Sequence, residues 1–266
     1  MARQPLPFPQ TVRLGWLLGC LVLGGSALPA ALPAAPLADL LRDARAADAR
    51  QDSSAALALF LQADAAQPND AFILQKIARQ YSDLVMDQPT VEAKKRYAQT
   101  ALEYSQRAVA LKPQDPVNVL SLAVCHGKLA TYSDTRTKVK YSRLVREETD
   151  RALALNPDYA WAHHVLGRWH GEVARLGAAS RIFVRMFYGG MPDASVDEGI
   201  RQLRRATELE PGELEHWIEL GFACAAADQR KPAQAAWQHA LAMPSRGPHD
   251  EASKQRARTA LSRLPR

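Results

Sequence analysis

From residue 37 onward the apolar residues recur three and four positions apart, and the alternation of a half-buried strand is absent at any useful length. The pattern predicts an all-α chain. It is punctuated by five prolines, Pro68, Pro113, Pro157, Pro211 and Pro244, each directly behind a helical run. Proline has no N–H to donate and its ring clashes with the preceding turn, so each of them stops a helix and redirects the chain. An alanine stands five residues before the first four (Ala63, Ala108, Ala152, Ala206), and Ala240 holds the matching place before the fifth. A small residue at a fixed distance from each stop marks where one helix crosses another closely. The prolines are 45, 44, 54 and 33 residues apart. The excess of the earlier intervals over the last is about three turns or more at 3.6 residues per turn. The second and third units are therefore expected to carry longer helices or a longer connection, with the phase kept. Helices are expected near 37–50, 53–66, 70–87, 90–111, 116–132, 137–155, 158–176, 195–209, 213–227 and 231–242, with a capping helix at 250–263.

The shortest unit carries the most specific signal. Trp217-x-x-Leu220-Gly221-x-x-Cys224 is followed by Ala233-x-x-x-Trp237-x-x-Ala240 and then Pro244. This resembles the tetratricopeptide (TPR) pattern W-x₂-L-G-x₂-Y, A-x₃-F, P, with Cys224 in the aromatic slot and Trp237 in place of the Phe. The resemblance implies a TPR-like helical-repeat superhelix, a right-handed stack of about five helix pairs with a C-terminal capping helix. Such a pair cannot bury its apolar face alone, so each copy requires the next. Leu220 and Gly221 let the two helices approach, and Trp237 is expected to fill the space between neighbouring pairs.

The N-terminus breaks the pattern. Arg3 and Arg13 precede an apolar run, Leu14 to Leu28, that contains no acidic residue. This is the layout of a secretory signal peptide. Gly25 and Ala27 allow cleavage after Ala27, and Pro29 to Pro36 supplies further sites and a linker. The run is short of the roughly 20 residues of a spanning helix, and an uncleaved anchor is the alternative. Leu17-Leu18-Gly19-Cys20 also resembles a lipoprotein box, although the apolar run continues past Cys20. Residues 1–35 are thus expected to be leader and linker, residues 36–266 the repeat domain, and the location periplasmic or secreted. Of 34 Lys and Arg residues, Arg3 and Arg13 would leave with the leader, so 32 face 28 Asp and Glu, a net +4. That balance is mild and dispersed, and no nucleic-acid partner is expected. Cys125 and Cys224 lie two repeats apart, too far for a disulfide in a linear stack, and are expected to be small buried residues.

The 54-residue interval holds an extra segment, Ala178 to Tyr188, followed by Gly189-Gly190-Met191-Pro192-Asp193-Ala194-Ser195. Ile182, Phe183, Met186 and Phe187 share a helical face flanked by Arg181 and Arg185. Ser195 with Glu198 is a capping box that opens the next helix. Segment 178–190 is expected to act as a lid, a packing element or a membrane contact. Around it, His163-His164-x-Leu166-Gly167-Arg168-Trp169, Glu172-Val173-Ala174-x-Leu176, Gly190-x-Pro192-x-Ala194-Ser195 and Ala206-x-Glu208-Leu209-x-Pro211 are similar to the regulator of microtubule dynamics family. These are TPR-like proteins of animals with bacterial relatives. The resemblance is specific over Tyr159 to Gly221 and loose over the remaining repeats. From the animal members it implies microtubule association, organelle contacts and, for one, phospholipid binding. A secretory leader would keep the chain from microtubules in its own cell, so the part of the role expected to transfer is binding through the groove.

The TPR phase names the residues of that groove. Counting from each closing proline gives Phe72, Gln75 and Arg79; Val117, Leu120 and Val124; Trp161, His164 and Arg168; and Glu215, Ile218 and Phe222. The expectation is an apolar trough holding Arg79 and Arg168. A guanidinium there suits a carboxylate or phosphate on an otherwise apolar ligand, because it binds planar anions through two N–H groups. The competing reading pairs Arg168 with Glu172 one turn on and lets the longer helices fill the groove. His163, His164, His170 and Glu172 share a helix, but the His-Glu-x-x-His spacing of a helical zinc site is absent. His170 takes an aromatic packing slot. No G-x-S-x-G, phosphate-binding loop or paired C-x-x-C occurs, and Arg136 to Arg146 reads as a solvated helix face. The function expected is therefore a non-catalytic scaffold of the cell envelope that holds a protein or peptide, with no cofactor and no metal. The alternative is a carrier of phospholipid or another amphipathic small ligand.

Overall fold

The computed structural model describes residues 36–264, and the expected leader lies outside them. Among the described residues there are twelve helices and no strand. They are α1 (Leu37–Ala49), α2 (Ser53–Ala66), α3 (Ala71–Asp83), α4 (Val91–Leu111), α5 (Pro116–Thr131), α6 (Thr135–Leu155), α7 (Ala160–Ala174), α8 (Ala178–Tyr188), α9 (Val196–Leu209), α10 (Leu214–Ala226), α11 (Arg230–Ala242) and α12 (Asp250–Arg263). Five pairs result, α1–α2, α3–α4, α5–α6, α7–α9 and α10–α11, with α12 packed on α10 and α11 as the cap. From α3 onward the first helices of the pairs touch in succession and form one layer. Each second helix packs on its own partner and on the first helix of the next pair.

The proline punctuation works through both backbone and side chains. The helices before Pro68, Pro113, Pro157 and Pro211 end two residues ahead of the proline. At each end the capping N–H is donated to the carbonyl of the recurrent alanine, Ala63, Ala108, Ala152 or Ala206. Those four alanines and Ala240 are fully buried. Two residues after Pro68 and Pro113, the carboxylates of Asp70 and Asp115 each accept two N–H groups of the new helix. These are ordinary N-caps, worth about 1 kcal/mol each. Proline, spacer and aspartate therefore close one helix and open the next.

The length differences have two physical forms. In the second and third pairs the second helices are stretched to 21 residues, against 14 in α2. The added turns carry aromatic contacts: Tyr97 meets Tyr81 edge-on at 5.4 Å, and Tyr141 stacks on His126 at 5.2 Å. In the fourth unit the excess is a separate helix, α8, inserted between the two members of a pair.

Close crossings fall where the sequence places glycine. A Cβ on Gly221 would overlap the Trp237 indole, which is buried and donates its N–H to Ile218 O at 3.1 Å. At the α7–α9 crossing, Gly167 and Gly199 face one another. A Cβ on Gly167 would lie 2.9 Å from Gly199 O, and one on Gly199 would lie 2.9 Å from Gly167 O. The core runs along the stack as four successive clusters, the largest around Ile218, Leu203 and Trp237. Cys125 and Cys224 are free and buried within it, and burial pushes the Cys125 thiol up to about 12.

Candidate functional site

The residues counted from the prolines separate by their distance along the helix. Those seven positions on, Gln75, Leu120, His164 and Ile218, are all buried. They sit where neighbouring helices cross, and Leu120 and Ile218 are core residues with no open surface. Those eleven positions on, Arg79, Val124, Arg168 and Phe222, are open or half-buried. The seventh position meets neighbouring helices, whereas the eleventh, about a turn further on, stays at least partly open. The apolar trough expected from the phase is therefore mostly consumed by packing, and the open positions are largely charged. Of the remaining candidates, Phe72 is half-buried under the Arg45 guanidinium, 4.9 Å from the ring centre. Arg79 lies 3.9 Å from Asp48 and 3.6 Å from Asp83. Trp161 packs on both His164 and His216, with ring centres 5.0 and 4.8 Å away.

His164 and His216 form a buried pair between α7 and α10, with their Nδ1 atoms 3.0 Å apart. One must carry the proton and donate while the other accepts, so the pair holds together as two neutral rings. Burial lowers both basicities. His164 is held well below the ordinary histidine range, with His216 and Arg168 adding to the effect, and His216 is pushed down to about 4. His170 is buried as packing would require; its Nδ1 accepts the Ser195 N–H at 3.3 Å, which ties α7 to the start of α9. Among the described residues no group of three or more His, Cys, Asp or Glu side chains could hold a metal ion.

One of the clefts between the helices keeps an open space. It lies among α7, α10 and α12, has a volume of about 190 Å³, and is lined by Arg168, Glu172, Arg175, Glu219, Phe222 and Arg256 with Gly167 and Gly171 at its floor. Arg168 donates to Glu172 at 3.0 Å and lies 3.7 Å from Glu219, so the helix-turn pairing anticipated in the sequence is present. Partial desolvation in the cleft alone would weaken the Arg168 charge, but Glu219 and Glu172 outweigh it and hold its pKa above the ordinary value. Glu219 is shared with Arg256 at 2.9 Å, and the Arg256 guanidinium also stacks on Phe222, 4.8 Å from the ring centre. Arg175, one turn past Gly171, makes no ion pair among the described residues. A wider depression of about 510 Å³ continues along α12 past Phe222, Gln255, Arg256 and Arg263. The two share Phe222 and Arg256 and form one trough.

Arg168 and Phe222 are legible in the sequence, whereas Arg175, Glu219 and Arg256 are not. The proline count does point to the face of α12. Continuing the proline count from Pro244 gives Gln255 at the eleventh position, and Gln255 lines the trough. From the sequence α12 reads only as a cap, and its groove face goes unseen.

Successive helix pairs, the Gly221–Trp237 contact and the alanine–proline closure define a helical-repeat protein of the TPR type. Within that class the chain belongs to the regulator of microtubule dynamics family: the family described as "Regulator of microtubule dynamics protein 1-3" matches residues 39–265. Regulator of microtubule dynamics protein 3 of Xenopus laevis is 28% identical over 139 residues, 52% of this chain and 30% of that protein. Regulator of microtubule dynamics protein 1 of Bos taurus is 25% identical over 146 residues, 54% of this chain and 46% of that protein. The chain thus spans less than half the length of these relatives. Among solved structures, a thermophilic TPR protein of Thermus thermophilus superposes with a TM-score of 0.64 at 21% identity, covering 85% of this chain and all of that one. That likeness speaks to the fold.

Proposed function

We propose that the chain is a non-catalytic scaffold that holds a peptide segment in the α7–α10–α12 trough, reading an apolar side chain and a carboxylate together. The observation that carries this reading is Arg175. It is a guanidinium without an ion pair among the described residues, set in a cleft beside Arg168, Arg256 and the Phe222 ring. Arg168 and Arg256 are already committed to Glu172, Glu219 and Glu215. Arg175 has its donors to spare, and Phe222 offers an apolar wall. An arginine binds a carboxylate through two parallel N–H groups, so a peptide C-terminus with an apolar last residue fits both features. The trough lies open to solvent, which also supports a peptide over a lipid: the Arg168 and Arg256 side chains are 47% and 51% exposed, where an acyl chain requires an enclosed apolar tunnel. The scaffold is taken to act outside the cytoplasm, as the apolar run behind Arg3 and Arg13 leads one to expect. N-terminal sequencing of the native protein should begin near residue 28 or later, and a start at Met1 would overturn that location.

A synthetic peptide array presenting each sequence with a free and an amidated C-terminus tests the binding. Free acids with an apolar last residue should be selected, and amidation or Arg175→Gln should each weaken them by about tenfold or more, the scale of one hydrogen bond to a charge. Equal binding of acid and amide would refute the reading.

A further inference from the structure

We propose that α8, together with the basic half of α6, is a docking surface for an anionic lipid bilayer. Ile182, Phe183, Met186 and Phe187 are 45 to 70% exposed, and all lie on the outward face of α8. No other stretch of that length among the described residues exposes more than two large apolar side chains. Single exposed apolar residues need no explanation, but four on one helix face do. The face is held outward by construction. Val184 on the opposite side is buried, Arg181 donates to Ala174 O at 2.5 Å, and Arg143 of α6 donates to Tyr188 O and Gly190 O at the far end. The helix is thus tied to the body at both ends with its larger apolar face turned away from it.

The charge around this face selects the occupant. From Val173 to Pro192 the chain has three arginines and no carboxylate, and from Thr135 to Arg146 it has five cations and no carboxylate. The Arg143 contact places these two segments side by side. Lys140 and Arg136 lie about one and two turns before Arg143 on the same helix face. Neither they nor Arg185 form an ion pair among the described residues. An apolar face bordered by unpaired cations is the composition of a helix that lies in a bilayer interface, its aromatic and aliphatic side chains among the acyl chains and its cations at the phosphates. A second copy of the chain fits less well, because it would bring Arg181 and Arg185 of both protomers together with no carboxylate on either segment.

The test is co-sedimentation of the full chain with phosphatidylcholine vesicles, with and without phosphatidylglycerol. Whether or not the apolar run 14–28 remains on the chain, it is the same in every variant, so the readout is the difference between variants. The wild type should partition onto the anionic vesicles, more weakly as salt is raised. Met186→Asp with Phe187→Asp should reduce that partitioning by about tenfold or more, and Arg185→Glu should reduce it mainly at low salt. All three side chains are exposed, and unchanged circular dichroism would show that the body remains folded. Equal partitioning of variant and wild type, or indifference to phosphatidylglycerol, would overturn the proposal. So would a concentration-dependent dimer of the wild type that Phe187→Asp abolishes, since the face would then belong to a second copy.

Discussion

At the scale of single residues, the sequence is most informative where one side chain has one way to fit. Trp237 is such a residue: buried, pressed on Gly221, and hydrogen-bonded to Ile218 O. Trp237→Ala should cost roughly 3–5 kcal/mol in chemical denaturation, the range for a large buried aromatic; a loss under about 1 kcal/mol would show that the repeat phase is misplaced. The histidine pair is less legible. His164 reads as a groove residue because it shares a face with Arg168, and nothing local in the sequence reports that His216, 52 residues away, meets it. Its consequence is a dependence on pH. Both pKa values are depressed by the fold, so the unfolded chain takes up protons below about 6.5 while the native pair does not. The stability contributed by the neutral pair is full above that pH and is lost as the pH falls toward about 4, the value for His216. A shift of that size corresponds to on the order of 3 kcal/mol. Denaturation at pH 7.5 and at pH 4.5 should show the loss, and the double variant His164→Gln, His216→Gln, which keeps polar partners without a titrating ring, should show less of it. An unchanged pH dependence in that variant would remove the pair from the account.

At the scale of elements, the prolines and alanines place the helices well, because capping is a local transaction among neighbours in the chain. Pro-x-Asp is readable at Asp70 and Asp115 for that reason. What a helix faces is not local. The count from the prolines puts Gln75, Leu120, His164 and Ile218 on the groove, and packing against neighbouring helices buries all four. The inserted helix α8 is readable as an amphipathic segment, yet its clamp is not, since Arg143 lies 45 residues before Tyr188. Arg143→Ala should release that clamp. Cleavage by trypsin at Arg181 or Arg185 should accelerate while the melting temperature stays nearly constant, because among the described side chains α8 contributes only Val184 to the buried core. A large fall in melting temperature would instead show that α8 is part of the cooperative fold.

At the scale of the whole molecule, the stack curls far enough for its ends to meet. The α11–α12 connection brings Gly247 against the Gln51 side chain in the α1–α2 turn, and His249 Nε2 lies 3.9 Å from Asp87 Oδ1 in the α3–α4 loop. A linear repeat array can unfold from an end, whereas an array whose ends touch gains a contact that couples them. The described tryptophans, Trp161, Trp169, Trp217 and Trp237, all lie in the C-terminal half, so their fluorescence reports that half while circular dichroism reports every helix. The two urea transitions should coincide; separated midpoints would show that the halves unfold independently. The packing of α12 on α10, which also touches α7, makes a trough of what the sequence presents only as a cap. That trough is the centre of the functional reading, and hydrogen exchange probes it without intermediaries. Addition of an array-selected peptide with a free C-terminus should slow amide exchange in Gly167 to Arg175, in Glu219 to Ala223 and along α12, and leave α2 and α4 unchanged. Slowing confined to other helices, with none in these three segments, would be incompatible with a peptide held in this trough.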